Sequence, residues 1–297
     1  MPAAKSKTLE RWNPLLMERK GEKTMAVIFL GTFAAIYLCC KHLDYTTAEV
    51  EDKMQFFMRP DVCVILVSLY QLSKGAFEWL RPKLGLIADE KNPGKLVQNT
   101  ASEVFKYAVV AHNLALCVFS AWIMCKTWPM VPEYFGGKFK DHRTFWDDGF
   151  GGWAIIFYVS KYYEFIDSWV LVLKSKTPSF LQVYHHTGVV YCMYFGCVSR
   201  ANWLICIVVL NSFIHTLMYM LYASTTFVEY HPRSPIKTTI TKMQITQFIV
   251  GITVASSFYW NPEATTDQLV GLGMIQVYAG YLIKLFDDMA KAKYKKP

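Results

Sequence analysis

The sequence predicts an all-α integral membrane protein, and three observations carry that prediction. Of the 297 residues, 53% are hydrophobic and only 18% are charged, against about 25% charged in ordinary soluble proteins. The charges are also unevenly spread and leave long uncharged runs. Finally, the basic residues between those runs segregate to one side of the bilayer that the runs imply. This composition excludes intrinsic disorder, a coiled coil and a small secreted disulfide scaffold. A net charge of +8, from 31 Lys+Arg against 23 Asp+Glu, fits either a nucleic-acid partner or the cytosolic face of a membrane. The placement of the charges decides for the membrane, with no nucleic acid.

Residues 24–40, 107–125, 177–199, 201–228, 243–262 and 268–283 run without Asp, Glu, Lys or Arg. About 18 such residues span a bilayer as a helix; four of these runs reach that length, and the first and last fall just short. The first run follows a long polar stretch and lacks a small-residue cleavage pattern, so it reads as a span and not as a signal peptide. Two more segments are broken by charge. Residues 62–73 are apolar but meet Lys74 and Glu78, and 149–160 continue apolar to Leu173 except at Lys161, Glu164 and Asp167. Counting both gives eight spans, of which 62–79 is the weakest. The eight cysteines lie in or beside apolar runs without C-x-x-C spacing, and read as small buried hydrophobes.

With the N-terminal tail in the cytosol and all eight segments crossing, 21 of the 31 basic residues fall on the cytosolic side and eight opposite, Lys74 and Lys161 lying within spans. Both tails are basic, which favours an even number of crossings. The chain shows no repeat and no second domain. Its longest connection on the far side, 126–152, carries five glycines.

Ionisable groups inside a span are costly and are candidates for function. The fourth span carries Lys161, Glu164, Asp167 and Ser168, placed by spacings of three and seven on one helical face, with Lys161 able to pair with Glu164. The fifth opens with Gln182, His185 and His186. The sixth carries Asn211, His215, Tyr219 and Tyr222 as one stripe, and the seventh opens with Gln244 and Gln247. At 1.5 Å per residue, His185 lies about 7 Å inside the cytosolic end of its span, Asp167 and His215 about 10 Å, and Gln247 about 6 Å. Four helices thus place polar groups at similar depth. Such stripes need a water- or ligand-filled interior, because lipid would leave them unsatisfied. A polar chamber open to the cytosol and continuing into an apolar tube suits an amphiphile with a large polar head. Read blandly, each group is also a hydrogen-bonding residue of a membrane bundle. That is the reading given to His112 and Asn113, while His42, His142 and His231 fall in loops.

In order, Lys161-Tyr-Tyr-Glu164-Phe-Ile-Asp167-Ser168, Gln182-Val-Tyr-His185-His186, Asn211-Ser-Phe-Ile-His215-Thr-Leu-Met218-Tyr219 and Thr241-Lys-Met-Gln244-Ile-Thr-Gln247-Phe248 resemble the K-x-x-E-x-x-D-T, H-x-x-H-H, N-x-x-x-H-x-x-M-Y and T-x-x-Q-x-x-Q motifs of the very-long-chain fatty acid elongases (the ELO family). Each motif alone is weak; four in order across about 90 residues are specific. The resemblance implies a seven-helix core around an acyl-chain tunnel, with the first span as an addition. The domains expected are a cytosolic basic tail, extra helix and luminal loop over 1–59, the catalytic core over 60–290, and a cytosolic basic tail over 291–297. It also implies residence in the endoplasmic reticulum membrane, and Lys293 and Lys295 near the C-terminus resemble a dilysine retrieval signal, which must face the cytosol.

The activity implied is condensation of a long-chain acyl-CoA with malonyl-CoA, alongside the other enzymes of the elongation cycle. Two positions depart from the family pattern. Gln182 replaces the first histidine of the box; a neutral amide is a poor metal ligand, so neither metal nor cofactor is expected. This Gln form resembles elongases of polyunsaturated chains. Ser168 replaces Thr and keeps the hydroxyl. By the resemblance, His185, His186, His215 and Asn211 are the catalytic candidates, with His185 or His215 taking the acyl group. Lys161, Glu164, Asp167, Gln182, Tyr219, Gln244 and Gln247 support the site or bind substrate. Trp203 and Trp260 are candidates for the luminal end of the tunnel. Two alternatives stand beside this reading. A di-iron desaturase or hydroxylase draws on about eight histidines, where this chain has seven. The other is a lipid-binding transporter without chemistry.

Overall fold

The computed structural model describes Lys23, most of 26–42, and residues 43–138, 142–228, 230–231 and 234–294. The basic stretch before Lys23 and the end of the dilysine sequence, 295–297, lie outside the described residues. Among the described residues the chain is all-α: α1 (Thr47–Met54), α2 (Pro60–Leu72), α3 (Lys74–Lys83), α4 (Thr100–Thr127), α5 (Gly151–Tyr163), α6 (Phe165–Leu173), α7 (Phe180–Val198), α8 (Leu204–Ser224), α9 (Pro235–Ala255) and α10 (Thr266–Tyr294). Short helical turns join α4 to α5, and the one β-type pairing among the described residues is an isolated bridge between Ala88 and Leu96, in the connection from α3 to α4.

Thr100–Gly136, Leu204–Ser224 and Thr266–Lys293 are long and apolar enough to cross a membrane, so the chain is a multi-pass membrane protein. Ala26–Leu38 and Pro60–Leu72 are shorter apolar helices. The first lies along α4, where Thr32 Oγ1 and Cys117 Sγ meet at 3.7 Å. α8 sits at the centre, apolar on all sides and largely buried, as a helix enclosed by others must be. It packs against α4 and α9; α10 covers α9 and α7, and α5 fills the space between α7 and α8.

Three helices depart from the spans read by charge, each for a visible reason. The weak span over 62–79 is interrupted at Ser73, whose Oγ bonds back to Tyr70 O at 2.6 Å and accepts the Trp169 indole N–H at 2.8 Å. The fourth span is interrupted at Glu164, where the Asp167 N–H reaches Glu164 O in a tighter turn. The seventh begins at Pro235, well before the uncharged run. Lys237 and Lys242 belong to the helix, and their long stems let the charges lie outward. Gln247 therefore lies twelve residues, about 18 Å, from the start of α9 rather than near it.

One end of the bundle is closed by a clasp between α1 and the turn into α5. Thr46 caps α1 in a capping box with Glu49. The buried hydroxyl of Thr47 donates to Trp146 O at 3.0 Å and accepts the Gly152 N–H at 3.1 Å. Gly152 is needed for this approach, since a Cβ there would meet the Thr47 backbone at 3.3 Å. Arg200, after α7, ties Glu51 at 3.0 Å to Asp147 at 3.2 Å. Thr47→Val keeps the shape but takes the acceptor from the Gly152 N–H and one of two donors from Trp146 O, which keeps the Gly151 N–H, at about 1–3 kcal/mol. The expected outcome is a thermal unfolding midpoint in detergent lowered by about 5 °C; an unchanged midpoint would show that the clasp contributes nothing.

Candidate active site

Lys161 and Glu164 form the centre. They stand one turn apart at the α5–α6 junction, 1% and 2% exposed, with Nζ and Oε1 at 2.6 Å. Buried charges are costly unless paired and further hydrogen-bonded; the surroundings supply this for Lys161, while Glu164 Oε2 has no hydrogen-bond partner. Lys161 Nζ donates to Asn211 Oδ1 at 3.3 Å and lies 3.8 Å from the centre of the Phe157 ring. Glu164 Oε1 lies 3.6 Å from His215 Nδ1. Asn211 and His215, one turn apart on α8, thus face the pair expected from the Lys161/Glu164 spacing.

α7 brings in the other two histidines, its start capped by Ser179, whose hydroxyl accepts the Gln182 N–H. The His185 ring lies 6.4 Å from His215 and 5.5 Å from His186, between centroids. Tyr278 on α10 holds His185, with its hydroxyl 2.8 Å from both His185 Nδ1 and His185 O. His186 is buried against the edges of Tyr70 and Phe165, and its Nδ1 has no partner.

Asp167 and Ser168 turn to different partners from Glu164, because the helix is interrupted between them. Asp167 accepts from Tyr219 Oη at 2.7 Å and contacts His112 Nε2 at 2.8 Å. Ser168 Oγ bonds Tyr70 Oη at 2.8 Å and accepts from Gln182 Nε2 at 3.1 Å. Gln244 Nε2 points to Met218 Sδ at 3.4 Å, so it packs against α8.

A cavity with about 590 Å³ of empty space, its open side included, runs from this cluster between α8, α9 and α10. His185, Asn211, Gln247 and Tyr278 line one part of it, and Ile207, Leu210, Phe248, Ile252 and Ile275 line it elsewhere. The buried Oε1 of Gln247 has no hydrogen-bond partner. A mostly apolar cavity with a few convergent polar groups is the usual form of a small-molecule site. The two tryptophans considered for its end lie elsewhere. Trp203 is buried and donates its indole N–H to Gln268 O at 3.0 Å, and Trp260 is 78% exposed. Cys206, Ala255 and Gln276 line the cavity instead.

The structure therefore gathers Lys161, Glu164, His185, His186, Asn211 and His215. It places Asp167, Gln182 and Tyr219 in hydrogen-bonded groups behind them, and puts Gln247 on the cavity wall. Tyr278 and Tyr70 escaped sequence reading, each a tyrosine in an apolar run. His112 was read as a hydrogen-bonding residue, which it is, but its partner is Asp167. Among the described residues no group of three or more His, Cys, Asp or Glu is arranged to hold a metal ion, which disfavours a di-iron desaturase.

Fold and site define a multi-pass helical membrane protein with a histidine-rich buried ionic cluster beside an apolar cavity. The profile of the ELO (GNS1/SUR4) family matches residues 55–297, and the chain belongs to that family. It is similar to fatty acid elongase sre1 of Dictyostelium discoideum, 41% identical over 37% of this chain and 40% of that one. It is also similar to fatty acid elongase 1 of Trypanosoma brucei brucei, 28% identical over 86% and 88% of the two chains. Very long chain fatty acid elongase 2 of Mus musculus is 30% identical over 54% and 56%. No solved structure matches the chain.

Removing Lys161 alone leaves the Glu164 carboxylate buried without compensation, a change that costs about 3–5 kcal/mol. Lys161→Met is expected to lose most of its monodisperse fraction on size exclusion in detergent, and adding Glu164→Gln is expected to restore much of it. A single variant as well behaved as the double would show that the pair is not buried as described.

Proposed function

We propose that this protein is a fatty acid elongase that condenses a long-chain acyl-CoA with malonyl-CoA, giving a 3-oxoacyl-CoA two carbons longer, CoA and CO2. The observation that carries this reading is the approach of His185 and His215, on different helices, beside a buried ion pair at an apolar cavity. Family membership supports the same class of reaction.

His185 Nε2 attacks the thioester carbon with its lone pair, and the C–S bond breaks to leave an acyl-imidazolium and CoA thiolate. Covalent catalysis of this kind splits one hard step into two. Malonyl-CoA then loses CO2, and the enolate carbon attacks the acyl carbon. The C–N bond breaks, the electron pair returns to Nε2, and the thiolate takes one proton from solvent. Asn211, His186 and His215 stand where they can stabilise an oxyanion or enolate. Lys161 and Glu164 orient His215 and Asn211, and Asp167, Tyr219, Gln182 and Gln244 hold the surrounding helices. Gln247 offers the substrate an acceptor.

In this reading eight segments cross the membrane of the endoplasmic reticulum, with both termini cytosolic. Residues 60–290 form the seven-helix catalytic core around an acyl tunnel, 1–59 add a tail, helix and luminal loop, and 291–297 form the cytosolic tail. The CoA head lies at the cytosolic mouth. Gln182 at the first position of the histidine box favours polyunsaturated acyl chains.

Incubating membranes that contain the protein with labelled malonyl-CoA and a panel of saturated and polyunsaturated acyl-CoAs tests this. Label is expected in 3-oxoacyl products, most from polyunsaturated primers, and is expected to vanish in His185→Ala. Full condensation by that variant would sink the role of His185; no product from any acyl-CoA would sink the function.

A further inference from the structure

The site contains a device that fixes which nitrogen of His185 carries the proton. The Tyr278 hydroxyl lies 2.8 Å from His185 Nδ1 and 2.8 Å from the carbonyl oxygen of the same residue. A carbonyl oxygen can only accept, and a phenol has one proton to donate. The Tyr278 proton must therefore go to His185 O, and the other contact is a hydrogen bond only if Nδ1 carries a proton and donates it to Oη. The opposite assignment would set two lone pairs against each other at the carbonyl. A neutral imidazole with Nδ1–H has its free lone pair on Nε2. Nε2 of His185 makes no hydrogen bond among the described residues, and His185 lines the cavity.

The backbone is arranged for this contact. Gly188 lies three residues after His185 on α7, facing α10, and a Cβ built there would overlap the Tyr278 ring. Glycine inside a helix costs roughly 0.5–1 kcal/mol relative to alanine, and here it makes room for the ring. Tyr184, one residue before His185, stacks on the Tyr278 ring with centroids 5.4 Å apart. Glycine and tyrosine thus fix the ring so that its hydroxyl spans the side chain and main chain of one residue.

We infer that Tyr278 is a positioning residue that locks His185 in the Nδ1–H tautomer, presenting Nε2 as the nucleophile. This rests on the reading of His185 as the acyl acceptor and adds to it which atom reacts and why. During attack the proton stays on Nδ1, where the positive charge of the acyl-imidazolium is met by the Tyr278 oxygen.

The test uses the full-length protein in detergent with 15N-labelled histidine, the His185 signals being assigned by their absence in His185→Gln. The wild type is expected to show a protonated Nδ1 and an unprotonated Nε2 at His185. Tyr278→Phe, which keeps the ring, is expected to show a mixture of tautomers. It is also expected to release CoA from acyl-CoA, before malonyl-CoA is added, about 10–100-fold more slowly, by analogy with losing the partner that orients a metal-bound imidazole. The KM for malonyl-CoA should stay unchanged. Gly188→Ala, which retains the hydroxyl but displaces the ring, is expected to do the same.

A wild-type His185 protonated on Nε2, or wild-type CoA release by Tyr278→Phe, overturns the inference. The wild-type spectrum, assigned with His185→Gln, decides even if Tyr278→Phe and Gly188→Ala fail to fold. Undiminished condensation by His185→Gln would overturn the acyl-acceptor reading instead, leaving the tautomer assignment standing.

Discussion

Lys161 and Glu164 bring opposite charges to a place where neither can be hydrated, and the surrounding structure answers to that constraint. An unpaired ion there would cost several kcal/mol, so the two side chains meet directly, Lys161 also donates to Asn211, and His215 lies 3.6 Å from the Glu164 carboxylate. This places α8 against the α5–α6 junction in one register. The helix interruption at Glu164 keeps this polar centre small, because beyond it Asp167 and Ser168 turn away to Tyr219, His112, Tyr70 and Gln182. The result is a layered arrangement. An ion pair holds one histidine, a tyrosine holds another, and a hydrogen-bonded belt around them joins α2, α4, α6, α7 and α8.

The apolar cavity follows from the same packing. α9 packs on both α8 and α10, and Gly251 and Ile252 of α9 with Ile275 and Ala279 of α10 line the space that remains beside α8. At one part of that space stand imidazole and amide groups, some with unused hydrogen-bonding capacity. Away from them the walls are mostly hydrocarbon. An amphiphile with a reactive carbonyl between a polar head and a long chain matches this division. The clasp of Thr47, Trp146 and Gly152 and the Arg200 ion pairs secure the bundle end where α1 meets α5 and α7 ends.

Local chemistry was legible along the chain wherever a single helix determines it. The Lys161–Glu164 pair follows from i, i+3 spacing, and the alignment of Asn211, His215 and Tyr219 from spacings of four. Where two helices meet, linear reading fell short. Tyr278 lies in an apolar run among other aromatics, and nothing local distinguishes it from a packing residue; its importance comes from an α7–α10 contact that Gly188 permits. His112 gains its partner only when α4 lies beside α6. Trp203 and Trp260 do not line the cavity, because position along a span does not determine which way a side chain faces. Charge-free runs also missed the true start of α9, since lysine stems can lie along a helix while their charges point outward.

The sequence by itself determined the helical class, the membrane environment and which charged and histidine residues fall within apolar segments, because hydropathy, charge spacing and motif order are properties of the linear chain. Only the tertiary structure decided that Lys161 and Glu164 serve His215, that Asp167 serves Tyr219 and His112, and that Tyr278 holds His185. Those assignments depend on helix rotation and on where helices are interrupted. Both depend on contacts that buried polar groups make across helix boundaries, which are a property of the whole bundle.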